Sequence, residues 1–244
     1  MKGYIDLHCH YLPSVDDGVR SVADGIALLA GLHRVGFDRV VATPHIRTAM
    51  FENRGPALRQ TYDALLATPE FRSAASTLPQ TGLAAEHWCD DVFWSLFVAG
   101  ESLPYPGGFA ALVEFPPEQI PRGLDDRFFA MRRRGVTPVI AHPERYTPLF
   151  GKTHPIEPLL DSGAIALLDL MSLTGRYGSA PKRAAERMLD EGAYYAACSD
   201  SHKPQDVEMV AEAIGRLERL VGAEEARELL VDGPASILAG SIDT

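Results

Sequence analysis

Histidine and aspartate side chains stand at the ends of the first and the last apolar segments of this chain. His8 and His10 close the first segment, and Asp200 and His202 follow the last one. Side chains two positions apart in a β-strand point to the same face, so each pair projects together and can bind one cation. The two pairs meet only if the first and last strands are neighbours, which predicts a closed sheet with metal ligands at one mouth.

Short apolar segments alternate with amphipathic segments along the whole chain. We predict seven strands, most of them rich in Val, Ile, Leu and Ala, at residues 4–8, 39–43, 80–86, 111–115, 138–142, 165–170 and 194–200. A first helix should be capped by Ser21 and end at Gly36. Further helices are predicted at residues 56–66, 124–134, 156–162, 181–191, 205–221 and 224–230. The last of these should end near Gly233 and Pro234.

This alternation continues without a linker, an internal repeat or a low-complexity segment. It predicts one α/β domain over residues 1–244, an irregular seven-stranded (β/α)7 barrel that is a distorted relative of the TIM barrel. The functional groups of such barrels gather at the C-terminal ends of the strands, so we expect the metal cluster at that rim.

Composition limits the partners and the compartment. The formal net charge of −10 disfavours a nucleic-acid-binding surface, which requires a basic footprint. The uninterrupted apolar stretches are too short to span a bilayer, and the chain opens without a secretory signal. Three cysteines without paired spacing fit a reducing compartment. We therefore expect a cytoplasmic protein without a membrane span, and the sequence leaves the oligomeric state open.

Nearly every predicted strand ends in a side chain that can bind a metal ion. In chain order these side chains belong to His8, His10, His45, Glu86, Glu114, His142, Asp169, Asp200 and His202. Five of the 8 histidines are in this set, while His33, His87 and His154 lie elsewhere. A single histidine at a strand end is more often structural, but so many at one rim would need a shared cation. Their N and O atoms suit Mn²⁺, Fe²⁺, Zn²⁺ or Mg²⁺, and clusters bridged by carboxylates serve phosphoester hydrolysis.

The same residues belong to a series of short motifs in a fixed order. The motifs are DLHCHYLPSVDDG at 6–18, ATPH at 42–45, FEN at 51–53, VEF at 113–115, AHPERY at 141–146, SLTG at 172–175 and SDSH at 199–202. This series resembles the polymerase-and-histidinol-phosphatase (PHP) superfamily of metallo-phosphoesterases. Within that superfamily it is most similar to the metal-dependent tyrosine-protein phosphatases of bacterial capsule and exopolysaccharide synthesis.

The resemblance implies three divalent ions, with Mn²⁺ as the first choice and Fe²⁺, Zn²⁺ or Mg²⁺ as alternatives. The first ion would be held by His8, His10, Asp200 and a bridging Glu86. The second would be held by Asp17, His45 and His202. The third would be held by Glu86, Glu114 and His142.

Two of these assignments depend on local details. The Asp-Asp-Gly sequence favours the tyrosine-phosphatase branch, because related phosphatases of small substrates often carry a histidine at the position of Asp17. We expect its neighbour Asp16 to be a turn residue. Glu86 lies in a segment that departs from the family pattern, and Asp90 and Asp91 follow it closely. Glu86 is nevertheless the natural candidate for the bridging ligand.

Two roles are open both for Asp169, at the end of the sixth predicted strand, and for the loop that follows it. Asp169 stands where the family usually has uncharged polar residues, and it either enters the cleft or faces helices or solvent near the rim. Ser172, Thr174, Arg176 and Tyr177 follow in a loop flanked by glycines. This loop either contacts the substrate or forms a surface turn.

The implied activity is hydrolysis of phosphotyrosine on a protein, by in-line attack of a metal-activated hydroxide. Arg145 would be a catalytic residue that binds the phosphate oxygens, with a salt bridge to Glu144 or another acid at the rim as the alternative. Asp17 and Glu114 would also be catalytic. Cysteine-dependent chemistry is disfavoured, because no arginine stands six positions after any of the three cysteines.

The resemblance also implies a partner, namely a phosphotyrosyl protein. This would be an autophosphorylating bacterial tyrosine kinase with a Tyr-rich tail, which controls polysaccharide synthesis. Two other functions stay open: a PHP phosphatase of a small metabolite such as histidinol phosphate, and a non-enzymatic metal-binding barrel with a regulatory role. A DNA-processing module is disfavoured by the acidic composition.

Overall fold

The strands of the protein form two parallel sheets. The computed structural model describes residues 2–151 and 155–242. The first sheet contains β1 (Tyr4–Cys9), β2 (Phe37–Ala42) and β4 (Gln80–Leu83), in the order β1-β2-β4. The second sheet has the order β3-β5-β6-β7-β8-β9 and consists of β3 (His45–Ile46), β5 (Glu86–Trp88), β6 (Ala110–Glu114), β7 (Thr137–Ala141), β8 (Ile165–Asp169) and β9 (Ala196–Cys198).

Two of the seven predicted strands are interrupted, which is why the described residues contain nine strands. The predicted strand 39–43 ends early as β2, and the chain re-forms a strand at β3 after Pro44, which has no N–H to donate to a ladder. The predicted strand 80–86 divides into β4 and β5 around Ala84 and Ala85. The backbone N–H of Ala84 still bonds to Ala42, whereas that of Ala85 bonds to Leu103. The chain therefore crosses from the first sheet to the second at both breaks.

The ends of β1 and β9 lie side by side. The N–H of Asp200 donates to the carbonyl oxygen of His8 at 2.9 Å, and the N–H of His10 donates to Ser201 at 2.9 Å. Cys9 and Ser201 form a parallel bridge between the two strand ends. This contact brings the first and last pairs of metal-ligand side chains to one edge.

The nine helices among the described residues are α1 (Val22–Val35), α2 (Gly55–Ala67), α3 (Pro69–Ala74), α4 (Asp91–Ala99), α5 (Leu124–Arg133), α6 (Glu157–Asp161), α7 (Ser179–Asp190), α8 (Asp206–Arg227) and α9 (Gly233–Ala239). The prediction for α1 is confirmed, because the Ser21 hydroxyl accepts the N–H of Asp24 and Gly36 ends the helix with a φ of 121°. None of these helices is long and apolar enough to cross a bilayer.

Three helical features differ from the predictions. Helices α3 and α4 were not predicted; Thr68 caps the first and Asp90 caps the second. The expected helix end near Gly233 and Pro234 is wrong, because α9 begins there. Proline fits the first turn of a helix, where its missing N–H costs nothing, and a π-helical turn (Glu228–Asp232) joins α9 to α8.

Apolar side chains from both sheets pack against one another below the site. Leu7 and Val41 come from the first sheet, and Leu112, Val139 and Leu167 come from the second; all five are fully buried in one cluster. Each contributes about 1.5–3 kcal/mol through burial. This core supports the strand ends from below and leaves the polar groups at one rim.

Candidate metal centre

All nine predicted metal ligands converge at one site. His45 and Glu86 are the first residues of β3 and β5, whereas the other seven lie at or after the ends of β1, β6, β7 and β9. The N and O atoms of all nine form four overlapping groups, and within each group the atoms lie within 4.8 Å of one another. The groups are His10, Asp17, His45 and His202; His8, His10 and Asp200; His8, Glu86 and His142; and His45, Glu86 and Glu114. The shared members join the four groups into one cluster.

Glu86 lies at the centre of this cluster and is buried. One carboxylate oxygen, Oε2, lies 3.1 Å from Nε2 of His8 and 3.1 Å from Nδ1 of His45. The other, Oε1, lies 3.0 Å from Nε2 of His142. Burial alone would raise the pKa of Glu86, but the surrounding imidazoles outweigh it and hold the pKa well below its usual value. The two oxygens of this carboxylate therefore face different imidazoles of the cluster.

Asp200 faces the cluster with one oxygen and an arginine with the other. Its Oδ1 lies 3.2 Å from Nε2 of His8 and 3.4 Å from Nε2 of His10. Its Oδ2 accepts a hydrogen bond from Nη2 of Arg145 at 2.7 Å. The carboxylate therefore connects the histidine pair of β1 to the only predicted phosphate-binding residue.

Asp17 extends the cluster towards the surface. Its Oδ1 lies 3.6 Å from Nε2 of His45 and 3.5 Å from Nε2 of His202. The neighbouring His202 imidazole lowers the pKa of Asp17 to about 2, against the opposing effect of partial burial. Glu114 lies beside the same histidine, with Oε1 3.3 Å from Nδ1 of His45.

Several buried atoms of the cluster have no hydrogen-bond partner among the described residues, namely Nδ1 of His45, Oε1 of Glu114 and Oδ1 of Asp200. Unpaired buried polar atoms are costly, and two of these, Nδ1 of His45 and Oε1 of Glu114, lie 3.3 Å apart. Imidazole nitrogens and carboxylate oxygens are the donor set that first-row divalent cations prefer. The residues present therefore fit divalent metal ions.

Two cluster residues have strained backbones. His142 has a φ of 35° and Asp200 a φ of 45°, in the left-handed region that non-glycine residues avoid. Such conformations cost roughly 1–3 kcal/mol each and tend to occur at functional sites. Here they turn each side chain into the cluster directly after β7 and β9.

Asp16 is not simply the turn residue that we expected. It is buried, and its Oδ2 lies 2.7 Å from Nδ1 of His10 and accepts the backbone N–H of His45 at 3.0 Å. Its Oδ1 accepts the N–H of Gly18 at 3.0 Å. A side chain at Gly18 would have its Cβ 2.2 Å from the carbonyl oxygen of His10, so this tight turn requires glycine. The carboxylate thus orients two candidate ligands.

Arg145 does not pair with Glu144; it pairs with two other acids, so the salt bridge that was the alternative to phosphate binding is present in the structure. The Glu144 carboxylate is fully buried and accepts hydrogen bonds from the hydroxyls of Ser172 and Tyr194. Burial raises its pKa to about 7. Arg145 contacts Asp200 instead, and its Nη1 lies 3.7 Å from Oδ2 of Asp169.

Asp169 contacts Arg145 and belongs to none of the four ligand groups. It is fully buried, and burial raises its pKa to about 8 even though Arg145 opposes the shift. Tyr177 lies against the same arginine, with its ring centroid 4.5 Å from Cζ. In the same loop the hydroxyl of Thr174 donates to Met171 and Arg176 pairs with Asp206. These side chains support the site.

The remaining candidates lie outside the cluster. Asp90 caps α4 and Asp91 pairs with Arg127, so Glu86 is the carboxylate of this segment that reaches the centre. His87 is buried against Leu112 and Leu103. His154 lies outside the described residues.

A cavity of about 280 Å³ opens above the cluster. Carboxylates and imidazoles form its floor, and Phe115, Pro117 and Tyr146 contribute an apolar part. Arg145 and Arg47 also line it. Our sequence analysis did not identify Arg47, because it belongs to no recognisable ligand spacing.

The family model described as "Capsular polysaccharide synthesis, CpsB/CapC" matches residues 4–239. The chain belongs to the CpsB/CapC family. Among similar proteins, the tyrosine-protein phosphatase YwqE of Bacillus subtilis is 28% identical over 227 residues, covering 90% of this chain and 86% of the relative. The tyrosine-protein phosphatase CpsB of Streptococcus pneumoniae is 28% identical over 258 residues. The match covers 96% of this chain and 98% of the relative.

A solved structure shares the fold of this CpsB/CapC family member along its length. It comes from work on YwqE of Bacillus subtilis and CpsB of Streptococcus pneumoniae, described there as unique metal-dependent tyrosine phosphatases. The TM-score is 0.84 at 26% sequence identity, and the match covers 97% of this chain and 94% of the other. An α/β fold with parallel sheets is therefore common to both.

Proposed function

We propose that this chain is a metal-dependent protein-tyrosine phosphatase that acts in capsule or exopolysaccharide synthesis. Its family membership and its similarity to proteins named tyrosine-protein phosphatases support the activity. One structural observation carries the proposal: a cavity has a buried cluster of imidazoles and carboxylates as its floor and Arg145 in its wall. Metal-assisted hydrolysis of a phosphate monoester uses both features, because the ions activate water and the guanidinium binds phosphate oxygens.

The proposed cofactor is a set of three divalent ions, with Mn²⁺ as the first choice and Fe²⁺, Zn²⁺ or Mg²⁺ as alternatives. The first ion would be held by His8, His10, Glu86 and Asp200, the second by Asp17, His45 and His202, and the third by Glu86, Glu114 and His142. When bound, such ions lower the pKa of water and neutralise charge on phosphoryl oxygens.

The roles of the chain's own residues follow from their contacts. Arg145 is held by Asp200 and Asp169 but keeps 22% of its side chain exposed, so its guanidinium can still bind phosphate oxygens. Asp17 and Glu114 line the cavity beside His45, and we propose catalytic roles for both carboxylates. The phenolate of tyrosine has a pKa of about 10, so its departure needs only modest assistance.

We further propose that residues 1–244 form one domain, with the nine strands occupying seven positions of an irregular (β/α)7 barrel. The contact between β1 and β9 supports closure of that barrel. The proposed partner is a phosphotyrosyl protein, the Tyr-rich tail of a bacterial tyrosine autokinase. A cytoplasmic location fits this partner and the free, buried cysteines.

Metal analysis combined with peptide hydrolysis tests the activity. The protein should contain divalent metal and release phosphate from a phosphotyrosyl peptide. It should lose this activity after chelation and regain it with Mn²⁺. Faster turnover of histidinol phosphate than of the peptide would instead assign the site to a small metabolite. A metal-loaded protein that hydrolyses neither substrate would overturn the enzymatic proposal.

A further inference from the structure

Arg47 lies in the wall of the cavity, flat against an aromatic ring. It follows β3, and its Cζ is 3.7 Å from the ring centroid of Trp88, the last residue of β5. Only 29% of its side chain is exposed. A guanidinium stacked at this distance has one face covered by the indole, while the residue still lines the cavity.

The backbone around Arg47 holds this arrangement in place. The N–H of Arg47 donates to Phe51 at 2.9 Å, and the N–H of Phe51 donates back to Arg47 at 2.8 Å. The hydroxyl of Thr48 donates to Asp90, the cap of α4. Hydrogen bonds therefore hold the turn that carries Arg47 at its two ends, Arg47 and Phe51, and at Thr48 between them. A turn held in this way loses less conformational entropy when the guanidinium binds a ligand.

The two arginines of the cavity differ in how strongly they are paired. Arg145 makes a 2.7 Å hydrogen bond to Asp200 and has Asp169 on its other side. The contact of Arg47 with a carboxylate is weak, at 4.0 Å between Nη1 and Oε1 of Glu114. Arg145 is thus built to hold a fixed charge beside the cluster, whereas Arg47 offers a flat cationic surface in the cavity wall.

We propose that Arg47, fixed flat on Trp88, recognises the phenyl ring of the substrate and thereby favours aryl over alkyl phosphate monoesters. This inference rests on the proposed phosphatase function of the same site. With the phosphate held near Arg145, the ring must extend towards the mouth, past the apolar surfaces of Phe115 and Pro117. An aromatic ring there can stack on the guanidinium, and an alkyl chain gains far less from that surface.

Binding of two non-hydrolysable probes tests the proposal without requiring turnover. Phenylphosphonate and methylphosphonate share the phosphonate group and differ in the ring. In Mn²⁺-loaded protein, Arg47→Ala should weaken phenylphosphonate binding by roughly two- to thirtyfold, the range of one cation–π contact. Methylphosphonate binding should change by less than about twofold. Arg47→Lys should recover only part of the phenylphosphonate affinity that Arg47→Ala loses, because lysine keeps the charge but not the flat guanidinium.

Two further variants separate the ring contact from other effects. Trp88→Leu should reduce the preference for phenylphosphonate in the same direction, because it frees the guanidinium. Arg127→Ala is the matched control: Arg127 lies over Trp94 at 5.9 Å but does not line the cavity, so both affinities should stay unchanged. Circular dichroism on each variant verifies that it is folded.

Some outcomes would overturn the inference. An equal loss for both probes in Arg47→Ala would mean that Arg47 binds the phosphonate or acts through Glu114, and unchanged affinities would mean that it contacts neither. If the wild-type protein fails to hydrolyse phosphotyrosyl peptide, the proposed function fails. If the wild type hydrolyses the peptide while Arg47→Ala keeps the wild-type ratio of probe affinities, only the ring contact fails.

Discussion

Nδ1 of His10 lies 2.7 Å from Oδ2 of Asp16, and both residues are buried. The opposite ring nitrogen, Nε2, faces Asp200 at 3.4 Å. A histidine held in this way donates its Nδ1 proton to the carboxylate and presents the Nε2 lone pair to the cluster. Carboxylate–histidine pairs of this kind fix the ring and strengthen the histidine as a metal ligand.

We therefore predict that Asp16→Asn weakens metal binding by roughly 10- to 100-fold, the usual cost of losing such a partner. All three groups that reach the Asp16 carboxylate are N–H donors, from His10, His45 and Gly18. The amide of asparagine has only one acceptor atom, so its NH₂ group would face one of these N–H donors and that hydrogen bond would be lost. Titration of the metal-free protein with Mn²⁺ measures the change.

Excess Mn²⁺ should restore much of the turnover in Asp16→Asn, because the ligands themselves are intact. Asp63→Asn, an exposed aspartate on α2, is the control and should bind metal like the wild type. Unchanged Mn²⁺ affinity in Asp16→Asn would show that Asp16 serves the turn alone.

The ligand cluster was largely predictable, because it follows the geometry of strands. His8 and His10 share a face by the two-residue period, and Asp200 and His202 follow the end of β9. Parallel strands bring their C-terminal ends to one rim. Glu114 and His142 were predicted as ligands in the same way, because each stands at the end of a predicted strand. These predictions needed only strand direction and residue type.

The supporting residues could not be predicted in the same way. Asp16 reads as a turn residue from its neighbours, and only the fold brings its carboxylate onto His10 and His45. Arg47 owes its position to a stack on Trp88, which is distant in sequence. The break between β4 and β5 depends on how the two sheets meet, whereas Pro44 marks the break between β2 and β3 in the sequence itself. Local patterns carry no signal for contacts of this kind.

The contacts of Arg145 lead to a prediction about substrate affinity. Arg145→Lys should raise the KM for a phosphotyrosyl peptide by about 10- to 100-fold, the cost of one or two charge-assisted hydrogen bonds. Asp169→Asn should raise KM by less, because Arg145 keeps its 2.7 Å bond to Asp200 and only its 3.7 Å contact with Asp169 changes. Steady-state kinetics with inorganic phosphate as competitor measures both effects.

Arg133→Lys, at an exposed position at the end of α5, is the control for these variants and should leave KM unchanged. A fall in kcat without any change in KM or in phosphate inhibition would contradict phosphate binding by Arg145. An Asp169→Asn variant with wild-type kinetics would show that Asp200 alone orients the guanidinium.

The burial of the three cysteines predicts that a thiol-alkylating agent and a chelator affect the activity differently. Cys9, Cys89 and Cys198 are free and buried, and burial raises the pKa of all three, that of Cys89 to about 12. Almost no thiolate is present near neutral pH, so alkylation should be very slow. Activity on an aryl phosphate should survive iodoacetamide but be lost with a chelator. Rapid inactivation by iodoacetamide under native conditions would contradict a mechanism that is independent of cysteine.

The environment of His87 leads to a prediction about how the free energy of unfolding depends on pH below 7. Its Nδ1–H donates to the carbonyl oxygen of Leu112 at 2.9 Å, and its Nε2 accepts the N–H of Leu103 at 3.1 Å. Acceptance by Nε2 requires the neutral ring, and burial lowers the pKa of His87 to about 4, from an ordinary 6.5. The unfolded chain therefore binds more protons than the folded chain between these values.

It follows that the free energy of unfolding falls as the pH drops from about 6.5 to 4, because stability rises with pH wherever the unfolded state holds more protons. His87 should account for about 3 kcal/mol of that fall. Denaturant unfolding of metal-free wild-type and His87→Gln protein across this range measures it. The variant should be less stable at pH 7 but lose less stability on acidification, so the difference between the two proteins should shrink towards pH 4. Parallel curves would mean that His87 does not titrate differently in the folded and unfolded states.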